Sequence, residues 1–439
     1  MLDAVMAAPV IVKILVALAV ILIVSRFCRH LIVSIAIGAL VLAVWAGYSA
    51  SDAASIVWGA TVSLNNIMLV IIVLQVIWLS SQMSATGVME DLVGAVRSRV
   101  SQRASMAVLP AVIGLLPMPG GALFSAPLVD SCDVNGEVPP ALKAQTNHWF
   151  RHIWEYWWPL AAGVLLAVDI AELEIWQFMA LQAPFTLVAV GAGYWFLLRR
   201  IKQPHSRPTM ARDDASPHFF MLVLPIVLVI GTYGVVKIAH AGLQARWGDA
   251  APGLNRYLPM AIGLLVAMSV LQMQRPLGAQ KWKEILLSRR AFMMAAIVVV
   301  VRIYGAFIEG ELPNGTLLVD QMRQEMAQWG IPMLAIIMAL PFISGLATGL
   351  SVAFVGASFP IVINLLGTNP ASGVLLPTVL LAYSFGYVGV VISPVHVCLV
   401  VASEHFGTHL VENLRALLRP AAAVMLVAFM GYYVVGWIL

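Results

Sequence analysis

Long apolar runs separated by short polar segments dominate the chain. They lie at Val10 to Ser25, Leu31 to Tyr48, Ile67 to Ser81, Trp157 to Val168, Trp176 to Leu198, Phe219 to Ala239, Leu258 to Met273, Ala291 to Ile308, Leu375 to Ala402 and Ala421 to Leu439. A hydrocarbon core about 30 Å thick takes about 20 helical residues to cross, so these runs read as about ten spans. Two more apolar stretches, Met106 to Val129 and Ile331 to Leu366, are broken in the middle by Pro and Gly clusters. They read as re-entrant hairpins, over about 105–129 and 331–366. The pattern predicts an all-α membrane protein of about ten transmembrane helices plus two re-entrant helical hairpins.

Basic residues test that count, because Lys and Arg in short loops mark the cytoplasmic side. They cluster at Arg26 and Arg29, at Arg97, Arg99 and Arg103, at Arg199, Arg200, Lys202, Arg207 and Arg212, at Lys281, Lys283, Arg289 and Arg290, and at Arg415 and Arg419. Ten spans with two non-crossing hairpins put every cluster on one side, with both termini external. Counting either hairpin as a span would flip everything after it. The first hairpin then enters from the cytoplasm and the second from outside. The hydrophilic segment 201–217 divides the chain into 1–200 and 218–439, each with five spans and one hairpin, an arrangement expected of two inverted repeats.

Composition agrees: 61% of the residues are hydrophobic and 10% charged, against roughly 45–50% and about 25% in soluble domains. The net charge of +4 lies in loops rather than on one face, so it marks topology and not nucleic-acid binding. Cys28, Cys132 and Cys398 have no metal or disulfide spacing and receive no role. The start, Met1-Leu2-Asp3, has no basic region before the first run, which is therefore expected to remain as a membrane helix. The expected location is a bacterial inner membrane.

A broken helix survives in hydrocarbon only where it is buried in protein or lines a wet cavity, so the breaks point to a site. The first is Leu116-Pro117-Met118-Pro119-Gly120-Gly121-Ala122-Leu123-Phe124-Ser125-Ala126-Pro127. The second is Leu340-Pro341-Phe342-Ile343-Ser344-Gly345-Leu346-Ala347-Thr348-Gly349-Leu350-Ser351. Two facing half-helix N-termini suit an anionic group, while freed carbonyls suit a cation; the plain alternative is a Pro kink with glycines for tight packing. Each hairpin is followed by a further interruption, around Trp158-Pro159 and around Ser393-Pro394-Val395-His396. There Ser393 and His396 offer polar ligands, and Gly386 and Gly389 allow the backbone to approach the hairpin closely.

Charges within spans are costly, about 2.5–3.5 kcal/mol at a helix centre. Arg302, inside the run that begins at Ala291, is the first choice for holding a substrate carboxylate, because its fork matches that group. The competing reading is a structural ion pair with a distant acid. His148, His152 and Glu155 share a helical face and suggest a proton relay or substrate contact. Metal binding would need a third ligand that the spacing does not supply. The neighbouring Trp149, Trp154, Tyr156, Trp157 and Trp158 equally suit an interfacial belt.

The strings Leu116-Pro117-Met118-Pro119-Gly120-Gly121-Ala122, Asn147-His148 through Trp158-Pro159, and Ile392-Ser393-Pro394-Val395-His396 together resemble the membrane family called domain of unknown function 401. That family looks like a branch of the ion-transporter superfamily, whose members carry gluconate, citrate, other carboxylates or arsenite. The resemblance implies an elevator-type homodimer with Gly120, Gly121, Ser125, Ser344, Gly345 and Thr348 lining a central site. The Ser-Asn-Thr tip signature of sodium-coupled dicarboxylate carriers is missing from both breaks, so substrate and coupling ion stay open.

The reading is a secondary transporter for a small organic anion, driven by a proton or sodium gradient, with no cofactor, no resident metal and no enzymatic role expected. The alternatives are an intramembrane enzyme built on His148, His152 and Glu155, an exporter, or a channel. A P-loop is absent, which argues against a nucleotide-driven pump in this chain.

Overall fold

The computed structural model describes residues 8–28, 30–88, 91, 94, 100–115, 121–133, 136–201, 219–250, 252–312, 315–367 and 369–439. Among them the regular structure is helical apart from an isolated β-bridge between Glu311 and Leu317. That is what a solvent without hydrogen-bonding groups demands, since a helix pairs its own N–H and C=O groups.

The first half runs α1 (Val10–Cys28), α2 (Leu31–Ala46), α3 (Ala50–Val62), α4 (Leu64–Ala85), α5 (Gln102–Gly114), α6 (Ala122–Ser131), α7 (Pro140–Arg151), α8 (Ala162–Ile170), α9 (Ile175–Gln182) and α10 (Pro184–Phe196). The second runs α11 (Phe219–Trp247), α12 (Leu258–Gln274), α13 (Ala279–Leu286), α14 (Arg289–Glu309), α15 (Leu318–Trp329), α16 (Met333–Thr348), α17 (Ser351–Asn364), α18 (Ser372–Val391), α19 (Val397–His405) and α20 (Leu410–Ile438). Ser49, Ser63, Ser101 and Ser288 cap α3, α4, α5 and α14, each hydroxyl accepting the backbone N–H three residues on and so satisfying a donor the helix cannot. The linker expected at 201–217 lies, apart from Ile201, outside the described residues.

Six helices among the described residues are long and apolar enough to cross a bilayer: Leu64–Ala85, Ile175–Arg200, Leu224–Trp247, Ala279–Glu309, Ser372–Val391 and Leu410–Ile438. A bent pair, Asp320–Trp329 and Met333–Thr348, turns through 112°. The other runs read as spans are shorter: Val10–Ser25, Leu31–Ala46 and Leu258–Gln274. Trp157 to Val168 is not a continuous helix, because regular structure resumes only at Ala162, after Pro159. Leu375 to Ala402 likewise stops at Val391 and restarts at Val397. Proline withholds a donor and clashes with the preceding turn, so both breaks fall where the sequence places one.

The order of elements recurs. A helix pair (α5 and α6, then α16 and α17) is followed by an interrupted helix (α7 and α8, then α18 and α19). The parts interlock across the halves: α19 packs on α6 and α7, and α8 packs on α17. Within the second half α16 lies directly on α18, as the glycines of α18 predict. A side chain at Gly389 would strike the Phe342 carbonyl, one at Gly345 the Gly386 carbonyl, and one at Gly386 the Phe354 ring.

Candidate functional site

Side chains from each interruption reach the helix ends of the adjoining helix pair. The last carbonyls of a helix have no partner within it. At the end of α5, the indole N–H of Trp154 donates to the Ala111 carbonyl (2.9 Å) and that of Trp158 to the Leu115 carbonyl (2.7 Å). At the end of α16, the Ser393 hydroxyl donates to the Leu346 carbonyl (2.6 Å) and His396 Nδ1 to the Gly349 carbonyl (2.7 Å). The aromatic string thus braces the helix ends from within the protein. Trp149 and Trp157 also donate, to the Ala189 carbonyl and the Thr186 hydroxyl, and Tyr383 and Tyr387 hold the carbonyls of Glu155 and His152.

Between these parts lies a cavity of about 180 Å³. Its polar wall carries Arg151, His152, Glu155, Arg290, Ser351, His396 and Cys398, and its apolar wall includes Val73, Ile77, Leu165 and Ile297. Three helices begin at it: Ala161 and Ala162 open α8, Leu350 and Ser351 open α17, and His396 and Val397 open α19. Each contributes partial positive charge from free N–H groups. Arg151 is buried at 3% exposure, and its guanidinium lies directly over Gly121, where a side chain would displace it. Glu155 is the one acid among the lining residues and sits 3.9 Å from His152 Nε2.

Behind the polar wall three buried imidazoles pack together, with ring centres 4.7 Å apart for His148 and His152, 5.1 Å for His148 and His396, and 4.7 Å for His152 and His396. One ring nitrogen of each lies within 4.8 Å of the others, a grouping able to hold a metal ion. The third ligand that spacing did not supply is His396, from the other half. Cys398, two residues after His396, lines the same cavity as His152 and His396.

His152, Glu155 and His396 thus line the cavity, His148 backs it, Gly121 lies under the Arg151 guanidinium, and Ser393 holds the Leu346 carbonyl. Gly120 lies outside the described residues. Ser344, Gly345 and Thr348 do not form the tip: α16 continues through them, and the turn is Gly349-Leu350, with Gly349 at φ +65°. The hydroxyls of Ser344 and Thr348 donate to the carbonyls of Leu340 (2.8 Å) and Ser344 (2.7 Å), and Gly345 serves packing. Ser125 is buried in the first turn of α6, away from the cavity lining.

Arg302 is a correction to the sequence reading. Its guanidinium meets Asp169 at 3.3 Å and donates to Asn66 Oδ1 at 2.8 Å, and it does not line the cavity. The structural ion pair is what the fold contains. The arginines that do line it were missed. Arg151 stands in the quoted His148 to Glu155 string, and Arg290 was counted as a loop base.

Two comparisons bear on the chain. The model of a family described as "Protein of unknown function (DUF401)" matches residues 11–244 and 256–435. Among solved structures, the YdaH transporter of Alcanivorax borkumensis, described as having an unusual topology, is similar over 89% of each chain with a TM-score of 0.53 and 14% identity, a likeness of fold. No curated protein matches.

Proposed function

The chain belongs to the DUF401 family, and we propose that it is a secondary transporter for a small organic anion, carboxylate-like, coupled to a proton or sodium gradient across a bacterial inner membrane. One observation carries the reading. Two arginines and three helix N-termini converge on a cavity whose lining holds one acid. Such a wall offers a carboxylate both charge and fork geometry. The volume of about 180 Å³ falls below the roughly 300–1,000 Å³ of drug-sized pockets, so the solute is small.

The fold supports transport. Broken helices meeting from both halves are the usual frame for alternating access around a midplane site, and the solved YdaH structure of like fold is a transporter. In this reading the halves are inverted repeats with both termini outside, and a homodimer carries the moving cavity as an elevator.

Thermal melting of detergent-purified protein across a panel of organic anions and oxyanions, with and without sodium, tests the assignment. A ligand at 100 times its Kd stabilises the native state by about 2.7 kcal/mol. We expect a selective rise from one carboxylate class, lost in Arg290→Gln and in Arg151→Gln. Rises from neutral solutes alone would overturn the anion assignment.

A further inference from the structure

We infer that His148, His152 and His396, with Cys398, form a binding site for a zinc-class transition-metal ion, bridging the two halves behind the cavity. It rests on the geometry of the cluster and not on the transport reading.

Hydrogen bonds fix where each ring carries its proton. A carbonyl oxygen can only accept. His152 Nδ1 faces the His148 carbonyl at 2.7 Å and His396 Nδ1 faces that of Gly349 at 2.7 Å, so both carry hydrogen on Nδ1. Their Nε2 atoms, which then hold lone pairs in the neutral rings, face each other at 3.0 Å. Two lone pairs do not rest at that distance without a positive charge between them. His148 donates from Nε2 to the Val391 carbonyl at 2.8 Å, which leaves its Nδ1 as a third lone pair, buried and without a hydrogen-bond partner among the described residues.

A proton and a metal ion are the two charges that fit, and the third nitrogen decides between them. A proton bridges two nitrogens and leaves His148 Nδ1 orphaned, at the cost of a buried unsatisfied acceptor. An ion takes all three. Zinc holds nitrogens at about 2.0–2.1 Å, which sets them roughly 3–3.5 Å apart. The His152 and His396 pair is already there, and one nitrogen of each of the three rings lies within 4.8 Å of the others. Each outer ring nitrogen is tied to a backbone carbonyl, the arrangement that orients metal-bound histidine. Arg151 adds positive charge nearby, so the donor set calls for an anionic member: Cys398, binding as thiolate with its proton released, with Glu155 close to His152.

The experiment uses full-length protein with any affinity tag cleaved, purified without chelator. Metal content by mass spectrometry, titration with zinc, and the visible bands of a cobalt-loaded sample are measured. We expect about one ion per chain and sulfur-to-cobalt charge transfer that disappears in Cys398→Ser. His396→Ala or His148→Ala should weaken zinc binding by more than the roughly 10–100-fold typical of losing an outer-shell partner. His405→Ala, at an exposed histidine, should change nothing. Because a triad variant could misfold, the wild-type titration stands alone: no saturable zinc binding overturns the proposal and leaves the cluster as a shared-proton site. Zinc bound without any anion response would sink the anion assignment and keep this one. Anion-induced stabilisation in protein that takes up no zinc does the reverse.

Discussion

Arg302 and Arg151 show that one side chain can serve two ends. Arg302 pairs with Asp169 at 3.3 Å, and Arg151 lines the cavity. Removing one member of a buried pair leaves the other charge stranded. Arg302→Ala should therefore destabilise by on the order of 3–5 kcal/mol, seen as a lower melting temperature, while the anion that stabilises the protein stays the same. A variant with unchanged melting that binds no anion would return Arg302 to the substrate. At the loop after α6, burial raises the Asp133 carboxyl, but Lys143 at 2.7 Å and the backbone N–H groups of Glu137 and Val138 bring it net below the usual range. A depressed carboxylate stabilises the fold above its unfolded pKa near 4 and loses that contribution as pH falls further. Asp133→Asn should flatten the acid limb of a melting-versus-pH curve below about pH 4 and lower stability at neutral pH.

For single elements, the glycines set how close helices come. Gly345→Ala or Gly389→Ala drives a methyl into a backbone carbonyl that cannot rotate away. Each should cost about 1–3 kcal/mol, measured as reduced melting temperature, whereas Gly191→Ala, with open space around it, should not. The second break was legible in the sequence because Pro and Gly punctuate it, but its turn falls at Gly349-Leu350, just past the residues read as the tip. Ser344 and Thr348 read as polar tip groups. Within α16 their hydroxyls fold back onto carbonyls four residues earlier instead, which no local pattern distinguishes. The tryptophans show the same limit: an indole at an interface and one tethered to an orphan carbonyl have the same letter. His396 could be flagged beside its proline, but its meeting with His152 spans 244 positions, and the fold alone brings them together.

Across the whole molecule, α8 rests on α17, and α19 on α6 and α7. This exchange also constrains how the protein is made. When synthesis has delivered only the first half, α6 and α8, of 10 and 9 residues, are too short to cross a bilayer that takes about 20. Their partners have yet to leave the ribosome. The first half must therefore wait in the membrane as an unfinished object, with open helix ends and a half-built histidine cluster, until some two hundred further residues arrive. A chain truncated after Arg200 should be degraded in cells, as pulse-chase labelling would record, and rescue should come from co-expressing 201–439 as a separate polypeptide. Recovery of a stable first half on its own would mean that the two halves are separate folding units that meet only after each is complete.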